Sequence, residues 1–237
     1  MRCLLILFFA LQSVLPTDGE SLLYNLRFKL GIVNTKVATA NISLNPETYN
    51  GEEALYGHVT IRVQPFFRLF MSEKYLSYVY FSKEDKKPIY YYNLNNVGYT
   101  ECYYQKDSIR YERHRGGEDV KITTVPNDGN TMEIFSFLFH MREIELIPGQ
   151  SQEFSAYLFG DFRKTIVTMT AVEQERFPGR RAEALVVELP ERGLMENGSG
   201  NIIYAWRDSE GTRPVLGIEV PLGKGKGTMI ATLDYEL

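Results

Sequence analysis

The feature that most constrains this chain is a switch of period. Long runs alternate apolar and polar residues one by one, and a single stretch, 128–149, repeats at helical spacing instead. Tyr24, Leu26, Phe28 and Leu30 alternate with Asn25, Arg27 and Lys29, the period-two pattern of a strand with one face buried. After Gly31-Ile32-Val33-Asn34 the pattern resumes, with Ala38, Ala40, Ile42 and Leu44 set against Thr39, Asn41 and Ser43. Leu55, Val59, Ile61 and Val63 mark a third strand, with His58 on its opposite face, where an ordinary surface role is expected.

The helical stretch has its own signals. Asn130 offers a cap and Glu133, three residues on, the reciprocal acceptor of a capping box. Ile134, Phe135, Leu138, Phe139 and Met141 form a broad apolar face, and Pro148-Gly149 supplies a stop. Such a face must be buried, and the only apolar surface large enough is a sheet built from the two flanking halves. The expected fold is therefore mainly β: antiparallel curved sheets forming a partly open barrel around one packed helix at about 131–142. One domain spans 21–237, with a meander over 21–127, the helical stretch 128–149 and hairpins over 150–237.

Within the meander, Pro65 to Met71 breaks the alternation and reads as a short helical connector. Three or four strands follow between Leu76 and Val125, dominated by Tyr78, Tyr80, Tyr90, Tyr92, Tyr99, Tyr103 and Tyr104. A tyrosine packs through its ring while its hydroxyl reaches water, so this set either covers a sheet or makes a stacking platform for a flat ligand. In the C-terminal part, Gly160-Asp161 predicts a two-residue hairpin turn. Ala184 to Leu189 is apolar on both faces and should be interior.

The chain has 237 residues, a formal net charge of -4, 16 tyrosines and 14 phenylalanines. Acidic and basic residues are interleaved, which disfavours a nucleic-acid surface. Residues 1–20 carry one positive charge at Arg2, an apolar run from Cys3 to Leu15, then Thr17, Asp18 and Gly19, the layout of a secretory signal peptide. The run is too short to span a bilayer, and no later segment reaches the necessary length. An exported, periplasmic protein is expected. With the leader removed Cys102 has no partner, so the fold must rest on its core rather than on a disulfide.

Tyr24-x-Leu26-x-Phe28 leading to Gly31-Ile32 resembles the opening of the domain of unknown function 3108 family. Later pieces agree in order: Phe135-x-Phe137-Leu138-Phe139 with Arg142, then Leu146-Ile147-Pro148-Gly149, Glu175 with Pro178-Gly179, Ile202-x-Tyr204-x-Trp206, Arg213-Pro214-Val215 and Leu222-Gly223. Thr35 departs from the pattern, standing where the first turn would carry glycine. The resemblance implies a bacterial exported protein, a partly open barrel or paired curved sheets with a packed helix, and no catalytic residues to carry over.

Signals for chemistry are weak. Asn197-Gly198-Ser199-Gly200 lacks the first glycine of a nucleophile elbow, and no helix follows it. His58, His114 and His140 lie far apart in sequence and show no metal-ligand spacing. Asn127-Asp128-Gly129-Asn130 lacks the later ligands of a calcium loop, and Gly223 to Gly227 lacks the hydroxyl residue and helix of a phosphate cradle. Cys102 sits among aromatic residues in a strand pattern, as a small buried thiol would. No catalytic residue, cofactor or metal is expected. The leading expectation is a non-enzymatic envelope protein that binds a lipid, glycan or protein partner in a groove between sheets, with Tyr78, Tyr80 and Trp206 as candidate binding residues. The alternatives are a polysaccharide-acting enzyme using a carboxylate pair and a structural assembly partner.

Overall fold

A computed structural model describes residues 19, 21–69, 76–95, 98–158, 161–173, 176–189, 201–223 and 225–234. The leader expected at 1–20 and the Ser199 segment fall outside these, apart from Gly19. The strands are β1 (Ser21–Leu30), β2 (Val33–Tyr49), β3 (Glu52–Val63), β4 (Leu76–Ser82), β5 (Pro88–Asn95), β6 (Gly98–Tyr104), β7 (Ser108–Arg115) and β8 (Lys121–Pro126) in the first half. A 3-10 turn at Pro65–Leu69 stands where the connector was expected. The second half has β9 (Thr131–Glu133), the helix α1 (Ile134–Glu143), β10 (Ser151–Leu158), β11 (Asp161–Glu173), β12 (Ala182–Glu188), β13 (Ile202–Asp208), β14 (Val215–Pro221) and β15 (Thr228–Leu233).

Among the described residues fifteen strands form one sheet, ordered β8-β7-β6-β5-β4-β3-β2-β1-β15-β14-β13-β12-β11-β10-β9. Every neighbouring pair is antiparallel except β9 and β10. The two edge strands, β8 and β9, are consecutive in the chain and joined by residues 127–130 only. Four residues span at most about 14 Å. The edges are therefore held close together, and the sheet is a nearly closed, barrel-like ring, mainly β as the alternation requires.

A round barrel of this strand number would be wide enough to leave a lumen. Here the helix packs against β9 and β10. Phe137 and Met141 are 1% exposed, and the Phe137 ring meets Phe154 of β10 edge-on at 5.4 Å. The end of the helix is tied to β13 and the connection after it: Arg207 of β13 donates to the Met141 carbonyl at 2.5 Å, and Arg142 donates through Nε to the Thr212 carbonyl at 3.0 Å. Arg207 is fully buried and paired with Glu183 at 2.5 Å, while Arg213 reaches the same carboxylate at 2.9 Å. A buried charge without such partners would cost several kcal/mol.

The helix begins later than its sequence signals suggest. Asp128 Oδ1 accepts from the amides of Asn130 and Thr131, at 2.9 and 2.7 Å. Thr131 to Glu133 then pair in parallel with Ser155 to Tyr157. The ladder with β10 satisfies those backbone groups, so the cap moves to Glu133, whose carboxylate accepts from the Ser136 amide at 2.8 Å. A carboxylate there also suits the helix dipole. The helix ends at Glu143, five residues before Pro148. Of the predicted apolar face, the side chains of Ile134, Phe135, Leu138 and Phe139 lie outside the described residues, whereas Met141 is buried. Two smaller corrections follow from the register. The 76–126 region holds five strands rather than three or four. Asp161 already pairs with Leu158, so that connection falls one residue earlier than Gly160-Asp161.

Gly98 opens β6 at φ 152°, and a Cβ there would stand 1.9 Å from the His114 carbonyl oxygen. Gly98→Ala should destabilise the fold by about 2–4 kcal/mol, lowering Tm by roughly 5–15 °C. Gly116→Ala, where a Cβ meets open space, should leave Tm within about 2 °C. Thermal melts by circular dichroism compare the two, and equal melting temperatures would contradict the β6–β7 register.

Candidate functional site

Strand alternation sorts the residues of β3 to β7 onto two faces. Val79, Tyr91, Cys102 and Tyr111 stand opposite one another across β4 to β7, each at most 3% exposed, and pack the interior. The residues between them face outward. There Tyr56 stands opposite Tyr80, Tyr78 opposite Tyr92, Tyr80 opposite Tyr90 and Tyr90 opposite Tyr103.

Directly opposed side chains on a sheet are near enough for rings to touch. Tyr78 stacks on Tyr92 at 5.0 Å, Tyr56 meets Tyr80 at 5.1 Å, Tyr90 meets Tyr103 at 5.2 Å, and Tyr92 stacks on Tyr99 at 5.7 Å. Tyr49, from the end of β2, adds its ring to Tyr80 at 4.7 Å. The result is a continuous tyrosine surface running from β2 to β6. At its first edge His58 stacks on Tyr56 at 5.5 Å, lies 2.9 Å from the Ser43 hydroxyl through Nδ1, and has its pKa lowered by burial.

Burial raises the pKa of Tyr78 and Tyr80, so these phenols stay protonated donors at neutral pH. Tyr90 is raised by burial and by its 2.7 Å hydrogen bond to Glu101. Tyr103 is pushed up to about 12, first by burial and then by the charge of Glu101.

Glu101 belongs to a cluster that residue spacing concealed. The β6–β7 register places it opposite Glu112, and Tyr99 opposite His114. Ligating atoms of Glu101, Glu112 and His114 thereby come within 4.8 Å of one another, and all three side chains are half-buried. His114 was expected to lack such partners, because the glutamates lie 13 and 2 positions away in no recognised spacing.

The three residues singled out by sequence do not form one site. Tyr78 and Tyr80 are neighbours on the tyrosine surface, with ring centroids 6.1 Å apart. Trp206 belongs to β13, in the other half of the sheet order. It is 6% exposed, with the Arg176 guanidinium 3.6 Å above its ring and Phe177 beside it at 6.4 Å. What the sequence missed is the extension of the surface through Tyr49, Tyr56 and the glutamate–histidine cluster.

On the inner face, behind the tyrosines, Cys102 is fully buried. Its thiol touches the Tyr104 and Tyr111 hydroxyls and feels the charge of Glu133. Tyr104 also accepts a hydrogen bond from the Glu133 amide at 2.8 Å, linking β6 to β9. Burial is the largest of the influences that hold the thiol and both phenols well above their ordinary pKa values. A thiol so held is a packing group rather than a nucleophile at neutral pH.

These features define a nearly closed, almost wholly antiparallel barrel-like sheet with one helix packed on it and tyrosines across one face. The sequence matches the family model described as a protein of unknown function, DUF3108, over residues 23–232, and the chain belongs to that family. No curated protein matches it. Among solved structures, it is similar to a candidate lipoprotein from Parabacteroides distasonis, at 9% identity and a TM-score of 0.31, covering 93% of this chain and 96% of that one. A likeness at that level carries no functional information. Among the described residues no helix is long and apolar enough to cross a membrane.

The buried thiol and phenols set a pH limit. Their folded pKa values lie above the ordinary 9.0 and 10.0, so the native state retains protons that the unfolded chain loses. Their contribution is complete below pH 9 and drains away as pH rises, by up to about 1.4 kcal/mol per pH unit for each group. Tm should be level from pH 7 to 9 and fall steadily above, with the onset moving toward pH 10 in Cys102→Ala. A Tm unchanged up to pH 11 would contradict the burial of this cluster.

Proposed function

We propose that this chain is a non-catalytic protein, exported to the bacterial periplasm, that binds an envelope glycan across its tyrosine surface. The carrying observation is the ring-to-ring array from Tyr49 to Tyr103, set on the outer face of a rigid sheet. Sugar rings present C–H faces and hydroxyls together. An array of neutral phenols offers stacking surfaces and hydrogen-bond donors in the same plane.

Several features favour this reading over its rivals. The leader-like residues 1–20 support export. A lipid needs a continuous apolar cavity, but the inward positions behind the tyrosines are filled by Val79, Tyr91, Cys102 and Tyr111. This reading therefore puts the binding face on the outer surface rather than in the groove expected between sheets. A glycoside hydrolase needs two carboxyl groups on either side of a bond. Glu101 and Glu112 instead sit side by side on neighbouring strands, with oxygens within 4.8 Å. Trp206, covered by Arg176, takes no part.

The test is affinity electrophoresis through gels containing purified envelope polysaccharide, together with co-sedimentation on peptidoglycan sacculi. Wild-type protein should be retarded by one of the two. Tyr78→Ala/Tyr80→Ala/Tyr92→Ala should lose affinity about 10- to 1,000-fold, at roughly 0.5–1.5 kcal/mol per ring, with its circular dichroism unchanged. Equal retention of both proteins, or release of reducing sugar by the wild type, would refute the proposal.

A further inference from the structure

We infer that the β6–β7 hairpin holds a divalent-cation site of the zinc type, formed by Glu101, Glu112 and His114. One oxygen from each glutamate and a ring nitrogen of His114 lie within 4.8 Å of one another. His114 Nε2 stands 3.6 Å from Glu101 Oε2 and 3.4 Å from Glu112 Oε2. Around a tetrahedral Zn2+ with bonds of about 2.0–2.2 Å, ligand atoms are separated by about 3.4 Å. The two separations from His114 Nε2 are thus already close to those around such an ion.

The same distances argue against a plain ion pair. A charge-assisted N–H···O bond closes to about 2.7–2.9 Å. Here Nε2 is buried from solvent and makes no hydrogen bond, although it faces two carboxylate oxygens.

The outer oxygens, by contrast, are held. Tyr90 donates to Glu101 Oε1 at 2.7 Å, and Arg110 reaches Glu112 Oε1 at 2.7 Å. Tyr99 stacks on the His114 ring at 4.2 Å and 10°, fixing its plane. Supporting groups that grip the far side of each ligand and leave the near atoms converging are the usual frame of a metal site. Imidazole with carboxylate suits Zn2+ and its first-row neighbours. The three side chains keep 16–22% exposure, enough for an ion to enter and for a fourth ligand to come from solvent. The site lies beside the tyrosine surface, but its geometry does not depend on what binds there.

The experiment uses the purified protein, stripped with a chelator and equilibrated against Zn2+ by dialysis. One zinc per chain is expected, and Glu112→Gln and His114→Gln should each weaken binding at least tenfold. His58→Gln, at the other edge of the same face, should leave binding within twofold. Histidine ring NMR signals of the unsubstituted protein follow the same titration without relying on a variant: His114 should shift while His58 and His140 stay in place. Absence of stoichiometric zinc, full affinity in His114→Gln, or a shift confined to His58 or His140 would overturn the assignment.

Discussion

Everything in this architecture depends on the pairing of β1 with β15. The two strands come from opposite ends of the sequence, and their ladder runs from Tyr24 opposite Leu233 to Lys29 opposite Thr228. Without it the N-terminal meander and the C-terminal hairpins would be two sheets connected only through residues 127–130. Closing so long a loop costs entropy, and the junction offsets it by burial. Tyr24, Leu26 and Ala231 are fully buried there, and Leu233 nearly so. Tyr24 also donates to the Val215 carbonyl at 2.8 Å, while Asn25 donates to Asp234 at 2.8 Å. The first bond pins the ladder to β14, and the second closes its end.

Once the ring is closed on that side, the other side follows. Residues 127–130 bring β8 next to β9, and Tyr104 takes the Glu133 amide across the gap. The helix follows β9 directly, because Glu133 ends the parallel ladder and caps α1 in one step. A packed interior behind β3 to β7 then leaves the tyrosines on a firm outer surface. For the glycan binding proposed above, rings already packed against their neighbours would lose little freedom when a ligand arrives.

Much of this was legible in the sequence. Period-two alternation gives the strands of the first hairpins directly, and the phenylalanine-rich stretch gives the one α-helix among the described residues. Local signals misled where a tertiary contact outweighed them. Asn130 and Glu133 form a sound capping box on paper, but strand pairing with Ser155 to Tyr157 captured the backbone first. The turn at Gln105-Lys106-Asp107 carries no glycine or proline, so the strands on either side of it were not separated. The tyrosines of β4 to β6 could be seen as a set, whereas the placement of Tyr49 and Tyr56 among them depends on register. Trp206 looked like a ligand platform because its cover, Arg176 in a loop, is 30 residues away. The Glu101–Glu112–His114 cluster was invisible for the same reason: cross-strand neighbours have no fixed sequence spacing.

Closure of the ring through its first and last strands is most directly tested by cross-linking across them. Lys29 and Thr228 are exact partners in the ladder, at a spacing where two cysteines can join without backbone movement. In Lys29→Cys/Thr228→Cys, mild oxidation should give a near-complete intrachain disulfide and a raised Tm, with the fully buried Cys102 unmodified. Failure of that pair to close while the protein remains folded would contradict a single continuous sheet.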